Sequence, residues 1–323
     1  MPRLVLTLNP LRLGDDDLAW ALAQGVGMLR INLGRNDLET NLALAARVQR
    51  VAAAAGSDVR LVFDLPGPKA RLGELARRSL EVGEPLILGT AGLPVTTMWL
   101  FDQVAAGDVL ALGRRGTRAR ITAVAPDHVA LVGVTAGDVR GFDSVFIEGR
   151  LPRFEDGLTP DDLRLARGLL ARLTLGPLTV APSFVESPRT VIRLRELARE
   201  LGVAPLKIVA KIETRVGVTH ASAIAEVADG LMIGRDDLSR ELSIAQINTH
   251  VLDWATRLGA RKEIIAASSY FADLATGDRL SPDAASVLHA LAASPLHALV
   301  SDETAFLPGF RAIVRTGIEH GFR

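Results

Sequence analysis

Cysteine is absent from the 323-residue chain, and aromatic residues are scarce. Without cysteine, disulfide bonds and thiolate zinc sites are excluded. Aromatic residues make up 4% of the sequence and apolar residues 48%, so the hydrophobic core has to consist mainly of Leu, Val, Ala and Ile. The fold is therefore held together by aliphatic packing, without covalent cross-links.

An excess of charge of either sign is also absent. The chain has 37 basic and 37 acidic residues and a pI near 7.0, which gives no electrostatic reason to expect a nucleic acid or an anionic membrane as partner. The six histidines show no metal-ligand spacing. The apolar stretch at the N-terminus is too short for a secretory signal, and no segment approaches the length of a membrane span. We expect a soluble, cytoplasmic protein.

Short apolar runs alternate with helical patterns along most of the chain. Eight such runs are present: "LVLTL" (4–8), "GMLRINL" (27–33), "VRLVFDL" (59–65), "LTVAPSF" (178–184), "PLKIVAKI" (205–212), "DGLMIG" (229–234), "EIIAASS" (263–269) and "HALVSD" (297–302). Ser187 and Pro188 have the residue types of an N-cap and a first helical position, and Gly202 follows that helix. The alternation predicts an α/β fold, a parallel (β/α)8 TIM barrel, although a doubly wound sheet would give a similar pattern.

The region 69–150 interrupts this alternation. Its apolar runs, such as "EPLILG", "DVLALG" and "HVALVGV", are short, closely spaced and separated by Gly and Pro. This pattern predicts an inserted, small all-β domain of a barrel-like kind. The predicted organisation is a barrel formed by 1–68 and 151–323, with the inserted domain at 69–150. The length without the insert suits a TIM barrel of roughly 250 residues.

Polar residues occupy the predicted C-terminal ends of most strands, which is where a TIM barrel carries its chemistry. The residues concerned are Arg30, Asn32, Asp64, Ser183, Lys211, Glu213, Arg235, Asp236, Asp237, Ser268, Ser269, Ser301, Asp302 and Glu303. One such residue is most often a cap or part of a buried pair. Charged groups at the same end of most strands indicate an active site.

The types of these residues indicate a site for a metal ion and an anion. Glu213 and Asp237 provide the oxygen ligands that Mg²⁺ prefers. Arg30 and Lys211 suit a phosphate or a carboxylate. Such a set can stabilise charge on a phosphoryl group in transfer or on an enolate. Lys211 and Glu213, two positions apart on one strand, are explained equally well by a structural ion pair.

Several segments resemble the pyruvate kinase family, in the order in which the family carries them. "LRINLGRND" (29–37) is similar to its Arg-x-Asn-Phe-Ser-His-Gly segment, and "FDLPGPKARLG" (63–73) to its Asp-Leu-x-Gly-Pro-Lys-x-Arg segment before an inserted β-domain. The other matching segments are "LPRFEDGLTPDDL" (151–163), "APSFVES" (181–187), "VAKIETRVGV" (209–218), "ADGLMIGRDDLSRELS" (228–243) and "VSDETA" (300–305).

The resemblance implies catalytic and metal-binding roles for matching residues. Lys211 would stabilise the phosphoryl group in transfer, and Arg30 would contact that group. Ser268 would lie near the enolpyruvate carboxylate and the proton-delivery path. Glu213 and Asp237 would hold a divalent cation, Mg²⁺ or Mn²⁺.

We expect Arg71, Asp236 and Ser183 to be substrate-binding residues, and the resemblance implies that Arg71 lies near Arg30. Asn32 and Asp64 fall at the family's monovalent-cation site. Gly34 stands where the family has a serine ligand for potassium, and Lys69 resembles the lysine whose ammonium substitutes for that ion in one branch. We therefore expect that potassium is not required.

Three features depart from the family pattern. Asp236 replaces a glycine whose amide approaches the substrate carboxylate, and a carboxylate there would repel an anionic substrate or alter the metal's coordination. Asp302 replaces the glycine of the family's Ser-Gly-Glu-Thr segment. The chain stops at Arg323, so we expect that the family's C-terminal domain and its effector site are absent, that kinetics are hyperbolic, and that any homo-oligomer differs from the family's.

These observations predict a phosphotransferase of glycolysis that converts phosphoenolpyruvate and ADP to pyruvate and ATP. Two alternatives remain open: a metal-dependent lyase or aldolase that acts on a related enol or keto acid through a pyruvate-type enolate, and a non-catalytic binding protein. The new aspartates favour changed chemistry, whereas retention of Lys211, Glu213 and Asp237 argues against decay. In each case the expected ligands are small molecules, without a nucleic acid or a membrane.

Overall fold

The computed structural model describes residues 2–8, 13–113, 116–173, 178–203, 205–268, 270–275, 280–301 and 310–322. The chain divides into two compact units, Met1–Pro66 with Asp162–Arg323, and Gly67–Asp161. The domain bounds predicted from the sequence stay a prediction, because compactness does not show which segment folds on its own. No helix in the described ranges combines the length and the apolar character needed to cross a membrane.

The strands and helices of the described residues are numbered here in chain order. The strands are β1 (Arg3–Leu8), β2 (Met28–Asn32), β3 (Arg60–Asp64), β4 (Ala70–Arg71), β5 (Arg78–Leu80), β6 (Pro85–Gly89), β7 (Val109–Leu112), β8 (Thr117–Val124), β9 (His128–Thr135), β10 (Gly137–Val139), β11 (Ser144–Ile147), β12 (Leu178–Ala181), β13 (Leu206–Ile212), β14 (Gly230–Gly234), β15 (Glu263–Ala267) and β16 (Ala298–Ser301). The helices are α1 (Asp15–Ala23), α2 (Leu38–Ala54), α3 (Pro160–Arg172), α4 (Pro188–Glu200), α5 (Arg215–Val227), α6 (Arg235–Leu238), α7 (Ile244–Leu258), α8 (Pro282–Ala293) and α9 (Phe310–Glu319).

The first unit is a closed barrel of eight parallel strands. Around the barrel the order is β1, β16, β15, β14, β13, β12, β3 and β2, and β2 pairs with β1 to close the ring. The strands alternate with helices along the chain, and the predicted fold class is confirmed. Ser187 caps α4 as predicted, since its side chain accepts a hydrogen bond from the Arg189 amide, and Gly202 follows the helix with φ of +67°.

The barrel interior has an apolar middle layer to which every strand contributes. Its residues are Val5, Met28, Val62, Ala181, Val209, Met232, Ile265, Ala267, Ala298 and Val300. Side chains two positions apart on a strand lie on the same face. The residue two positions after an interior residue therefore lies on the interior face as well, nearer the carboxyl end of the barrel.

A charged cluster occupies the opposite, amino end of the barrel. Glu263 is buried; its carboxylate contacts the Arg60 guanidinium, and its Oε2 lies 2.7 Å from Lys207 Nζ. Burial raises the pKa of Glu263. The hydrogen bonds and positive charges of Arg60 and Lys207 have a larger effect, so the pKa is lowered below the ordinary glutamate value. Polar groups at this end of a TIM barrel serve stability, and we interpret this cluster in that way.

The second unit is built of antiparallel strands, so the predicted all-β character of the insert is confirmed. A six-stranded sheet runs in the order β4, β11, β7, β8, β9 and β6, and β5 pairs separately with β10. This unit has its own apolar core, in which Leu72, Trp99, Phe101 and Val129 are buried. Arg114 and Arg115, in the sequence "GRRG" (113–116), lie outside the described residues.

Candidate active site

Five of the predicted site residues form one contact network at the carboxyl end of the barrel. They are Arg30, Asp64, Ser183, Lys211 and Glu213. The first four each lie two positions after an apolar interior residue of their own strand, as Lys211 follows Val209. The alternation of the strands therefore places them on the interior face, directly above the apolar layer.

Asp64 links the two cations of this network. Its Oδ2 accepts a hydrogen bond of 2.6 Å from Arg30 Nε, and its Oδ1 accepts one of 3.1 Å from Lys211 Nζ. Arg30 Nη1 also donates to Thr7 Oγ1 at 2.9 Å. Only 2% of the Asp64 side chain is exposed. The two cations are thus held by one buried carboxylate, which limits the repulsion between them.

Lys211 has three acceptors around its ammonium group. Nζ lies 2.7 Å from Ser183 Oγ, 3.1 Å from Asp64 Oδ1 and 3.2 Å from Glu213 Oε1. An ammonium has three N–H donors, so this set can engage all of them. The Ser183 hydroxyl accepts from Lys211 and donates its own proton to the Leu65 carbonyl at 2.6 Å. The ammonium is therefore fixed in position rather than free to move on its long side chain.

The charges around Lys211 and Asp64 keep both groups ionised. Burial lowers the pKa of Lys211, but the carboxylates of Asp64 and Glu213 outweigh burial and raise it above the ordinary lysine value. Burial raises the pKa of Asp64, but the positive charges of Arg30 and Lys211 outweigh burial, and the pKa is lowered below the ordinary aspartate value. At neutral pH Lys211 is a permanent cation. It suits stabilisation of negative charge, and it does not suit the role of a nucleophile or a general base, which needs a neutral amine.

Glu213 directly follows β13, and its carboxylate is held from two sides. Oε1 lies beside Lys211, and Oε2 accepts a hydrogen bond of 3.0 Å from the Phe184 amide. The side chain lies against Gly234 at the end of β14, where an added Cβ atom would be 2.6 Å from Oε1. A glycine is needed there because any side chain would displace the carboxylate.

Glu213 and Asp237 fit a divalent cation by their chemistry. Strands β13 and β14 pair in parallel, with Ile212 opposite Ile233, so Glu213 and α6, which carries Asp237, follow the ends of neighbouring strands. Both side chains are mostly buried, with 5% and 15% exposed. Two hard carboxylates with substrate oxygens are a usual environment for Mg²⁺. Within the described residues no cluster of three or more metal-ligating side chains is present.

Three other predicted site residues also lie in the barrel unit. Asn32 ends β2 opposite Asp64, and its Oδ1 accepts from the Gly34 amide at 3.0 Å. Asp236 is in the first turn of α6. Ser268 follows β15 with φ of +79°, which is unusual for a residue other than glycine. Asp302 lies outside the described residues.

Two predicted residues belong to the second unit. The Lys69 ammonium lies 5.5 Å from the centre of the Phe146 ring, and Arg71 Nη1 donates to the Phe142 carbonyl at 3.1 Å. These contacts describe the residues within their own unit. Their predicted roles in substrate and cation binding stay predictions.

Sequence reasoning missed three residues that support the network. Thr7 accepts from Arg30, Phe184 donates its amide to Glu213, and Thr214 caps α5 directly after Glu213. A threonine between a strand and a helix is a cap signal that the sequence does contain. The sequence does not predict the role of Phe184, because this residue acts through its backbone amide and not through its side chain.

Arg235 and Tyr270 form a stacked pair next to the site. Arg235 follows β14, and its guanidinium carbon lies 4.0 Å from the centre of the Tyr270 ring. Tyr270 is buried, and its hydroxyl has no hydrogen-bond partner within the described part of the chain. Burial raises the pKa of Tyr270 to about 12, with a smaller opposing effect of Arg235. The ring, rather than the hydroxyl, therefore accounts for the contact with Arg235.

We expect Tyr270→Phe to stabilise the protein by roughly 1 kcal/mol, because it removes a buried donor that no described residue accepts from and keeps the ring under Arg235. Urea unfolding of the two proteins measures the difference. Tyr270→Leu is the matched control and should be less stable than the parent, since it removes the ring itself. A clear loss of stability in the phenylalanine variant would contradict this account of the hydroxyl.

Fold and site together define a class of protein: a (β/α)8 barrel with a buried charged network at the end where barrel enzymes carry their chemistry. Comparison with known proteins finds similarity to one family within that class. The model of the family described as "Pyruvate kinase, barrel domain" matches residues 167–273. The resemblance found in the sequence is confirmed: the chain is similar to pyruvate kinases over most of its length.

Individual relatives support the same family over a larger part of the chain. Pyruvate kinase of Bacillus licheniformis is 28% identical over 259 residues, which cover 76% of this chain and 43% of that protein. Pyruvate kinase of Aeropyrum pernix is 27% identical over 268 residues, which cover 82% and 58%. The chain thus spans about half the length of the curated relatives it matches.

A solved structure shares the fold of almost the whole chain. The crystal structure of Cryptosporidium parvum pyruvate kinase superposes with a TM-score of 0.85 and covers 99% of this chain and 70% of that one. The sequence identity is 18%. At this identity the likeness concerns the fold alone.

Proposed function

We propose that this protein is a pyruvate kinase-like phosphotransferase that converts phosphoenolpyruvate and ADP to pyruvate and ATP. The observation that carries the proposal is the position of the Lys211 side chain, whose Nζ is held by Asp64, Ser183 and Glu213 in the network that includes Arg30. Phosphoryl transfer depends mainly on positioning and on stabilisation of negative charge, and a fixed cation provides both. The proposed location is the cytoplasm and the proposed pathway is glycolysis, since both follow from this reaction.

Each residue of the network has a role in the proposed reaction. The bond between phosphorus and the enol oxygen of phosphoenolpyruvate breaks, and a bond to an oxygen of the ADP β-phosphate forms. Lys211 and Arg30 stabilise the negative charge on the phosphoryl group and on the enolate left behind. The enolate then takes up a proton to give pyruvate, with Ser268 near the path of that proton. Arg71 and Ser183 complete the proposed substrate-binding set, and Asp236 stands at the position next to the substrate carboxylate, where its charge would oppose binding.

Glu213 and Asp237 would hold Mg²⁺ or Mn²⁺ in this proposal. When bound, the cation supplies positive charge to the phosphoryl and enolate oxygens. The chain's own contribution is to keep Glu213 in one orientation, through the Phe184 amide and the space left by Gly234. Lys211 Nζ lies 3.2 Å from Oε1 of the same carboxylate, so the lysine also helps to hold Glu213 in place.

A coupled assay with phosphoenolpyruvate, ADP and Mg²⁺ tests the proposal. We expect formation of pyruvate that depends on all three components. Pyruvate formation without ADP would indicate a phosphatase instead. If no phosphoenolpyruvate is consumed, the proposal is refuted, and a screen of other enol and keto acids with the same protein follows.

We expect the activity to be independent of potassium. Both oxygens of Asp64 already accept hydrogen bonds from protein cations, Oδ2 from Arg30 and Oδ1 from Lys211, so this carboxylate needs no further cation for its charge. Rates measured in tetramethylammonium chloride and in KCl at equal ionic strength should agree within about twofold. This corresponds to a difference of about 0.4 kcal/mol in the activation free energy. A large increase in KCl would contradict the prediction.

Asp236 favours a second candidate function on the same scaffold. It precedes Asp237 in the first turn of α6, so a second carboxylate is close in sequence to the proposed metal ligand. A metal-dependent lyase or aldolase that acts through a pyruvate-type enolate would use the same cations, with Asp236 as a further ligand or as a general base.

The variant Asp236→Gly separates the two candidates. For the kinase we expect kcat/KM for phosphoenolpyruvate to rise roughly tenfold or more, because a like charge near an anion site weakens binding. Asp236→Asn is the matched control, since it removes the charge and keeps the size, and it should share most of the gain. A loss of the native activity in both variants would instead favour the second candidate.

A further inference from the structure

A short segment after β12 continues alongside the carboxyl end of β13. The Lys211 amide donates to the Pro182 carbonyl at 2.9 Å, and the Val185 amide donates to the Lys211 carbonyl at 2.9 Å. Between these bonds Phe184 is buried and has φ of +54°. This left-handed conformation is unfavourable for a phenylalanine and persists only where the surrounding structure enforces it.

The left-handed turn has a consequence for the site. It places the Phe184 amide 3.0 Å from Glu213 Oε2, to which it donates a hydrogen bond. Relaxation of the turn to an extended conformation would rotate this amide. The orientation of the Glu213 carboxylate therefore depends on what holds the segment in place.

Glu186 anchors the far end of this segment to α5. Its Oε1 accepts a hydrogen bond of 2.7 Å from Thr214 Oγ1, and Thr214 Oγ1 in turn accepts from the Gly217 amide at 3.0 Å. Thr214 is buried and directly follows Glu213. Gly217 allows the close approach, since an added Cβ atom would lie 2.7 Å from the Val185 carbonyl oxygen.

We propose that Glu186 is a positioning residue: through Thr214 it holds the strained Phe184 turn, and the turn holds the carboxylate of Glu213 in the orientation that binds the cation. The inference deepens the proposed function and rests on it for the metal. The hydrogen-bonded anchor itself is independent of the metal. Loss of a residue that orients a metal-ligating side chain, without itself binding the metal, typically weakens metal affinity about tenfold or more.

Two matched substitutions at Glu186 test the proposal. Glu186→Gln keeps an acceptor for Thr214, whereas Glu186→Ala removes it; neither changes the cap bond between Thr214 and Gly217. We expect the alanine variant to bind Mn²⁺ about tenfold more weakly in calorimetry, with the glutamine variant close to the parent. In metal-free protein, hydrogen exchange of the Phe184 amide should be faster in the alanine variant and unchanged in the glutamine variant.

A second pair, Thr214→Val and Thr214→Ser, checks the other end of the contact. The serine variant should retain the slow exchange and the valine variant should lose it. Slow exchange of the Phe184 amide in both Glu186→Ala and Thr214→Val would overturn the proposal. If the parent itself binds no Mn²⁺, the metal assignment fails, and the exchange rates still decide whether Glu186 holds the turn.

Discussion

Replacement of Lys211 by methionine is expected to lower kcat with phosphoenolpyruvate and ADP by about 10³-fold or more. Loss of a cation that stabilises charge in the transition state typically has an effect of this size. The same change leaves Asp64 and Glu213 buried without their shared counter-ion. Removal of one partner of a buried ion pair destabilises a protein by roughly 3–5 kcal/mol. The coupled assay gives the rate, and urea unfolding of the same sample shows how much protein is folded.

Lys207→Met is the matched control for this prediction. Lys207 lies on the same strand at the opposite end of the barrel, where its ammonium is 2.7 Å from Glu263 Oε2. Its side chain is more exposed, and Glu263 keeps Arg60 as a second partner. We expect a modest loss of stability and an unchanged rate. Activity that survives in Lys211→Met would contradict the family-based assignment of the site.

Glu213→Gln and Asp237→Asn are each expected to weaken Mg²⁺ binding by about 100-fold. Each change keeps the shape of the side chain and removes one of the two anionic ligands that the chain offers the cation. Calorimetric titration with Mg²⁺, and with Mn²⁺ as a second probe, measures the affinity. Protection against thermal unfolding by saturating Mn²⁺ should fall in the same variants, because a ligand that binds the folded state stabilises it.

Glu263→Gln is the control for the loss of a buried carboxylate. Glu263 lies in the same barrel but at the amino ends of the strands, among Arg60 and Lys207. Its replacement should lower stability and leave metal affinity unchanged. Unchanged affinity in both Glu213→Gln and Asp237→Asn would refute the metal site while leaving the barrel fold untouched.

Much of the site was predictable because strand periodicity connects sequence position with direction. Val209, Lys211 and their counterparts on neighbouring strands alternate with residues of the outer face, so polar residues two positions beyond the apolar layer have to lie at its carboxyl-end edge. The order of strands and helices along the chain supplies the same information for the whole barrel. Lys211, Asp64 and Arg30 could therefore be assigned to one end without a structure.

The interactions of those residues could not be predicted in the same way. The resemblance implies a monovalent-cation site at Asp64; in the barrel Asp64 accepts hydrogen bonds from Arg30 on the neighbouring strand β2 and from Lys211 on β13, two strands away on its other side. These partners lie 34 and 147 positions away in the chain. The closure of the barrel, and not any local pattern, brings them within hydrogen-bond distance.

The amino-acid sequence determines the barrel, the insert and the end of the barrel that carries the charged residues, because these depend on periodicity and on the order of elements. Only the tertiary structure decides which charges pair, that Lys211 stays protonated, and that Phe184 takes a left-handed turn to hold Glu213. The physical reason is that protonation and side-chain orientation depend on distances of a few ångströms between residues far apart in the chain. Periodicity sets the direction of a side chain, and packing sets its neighbours.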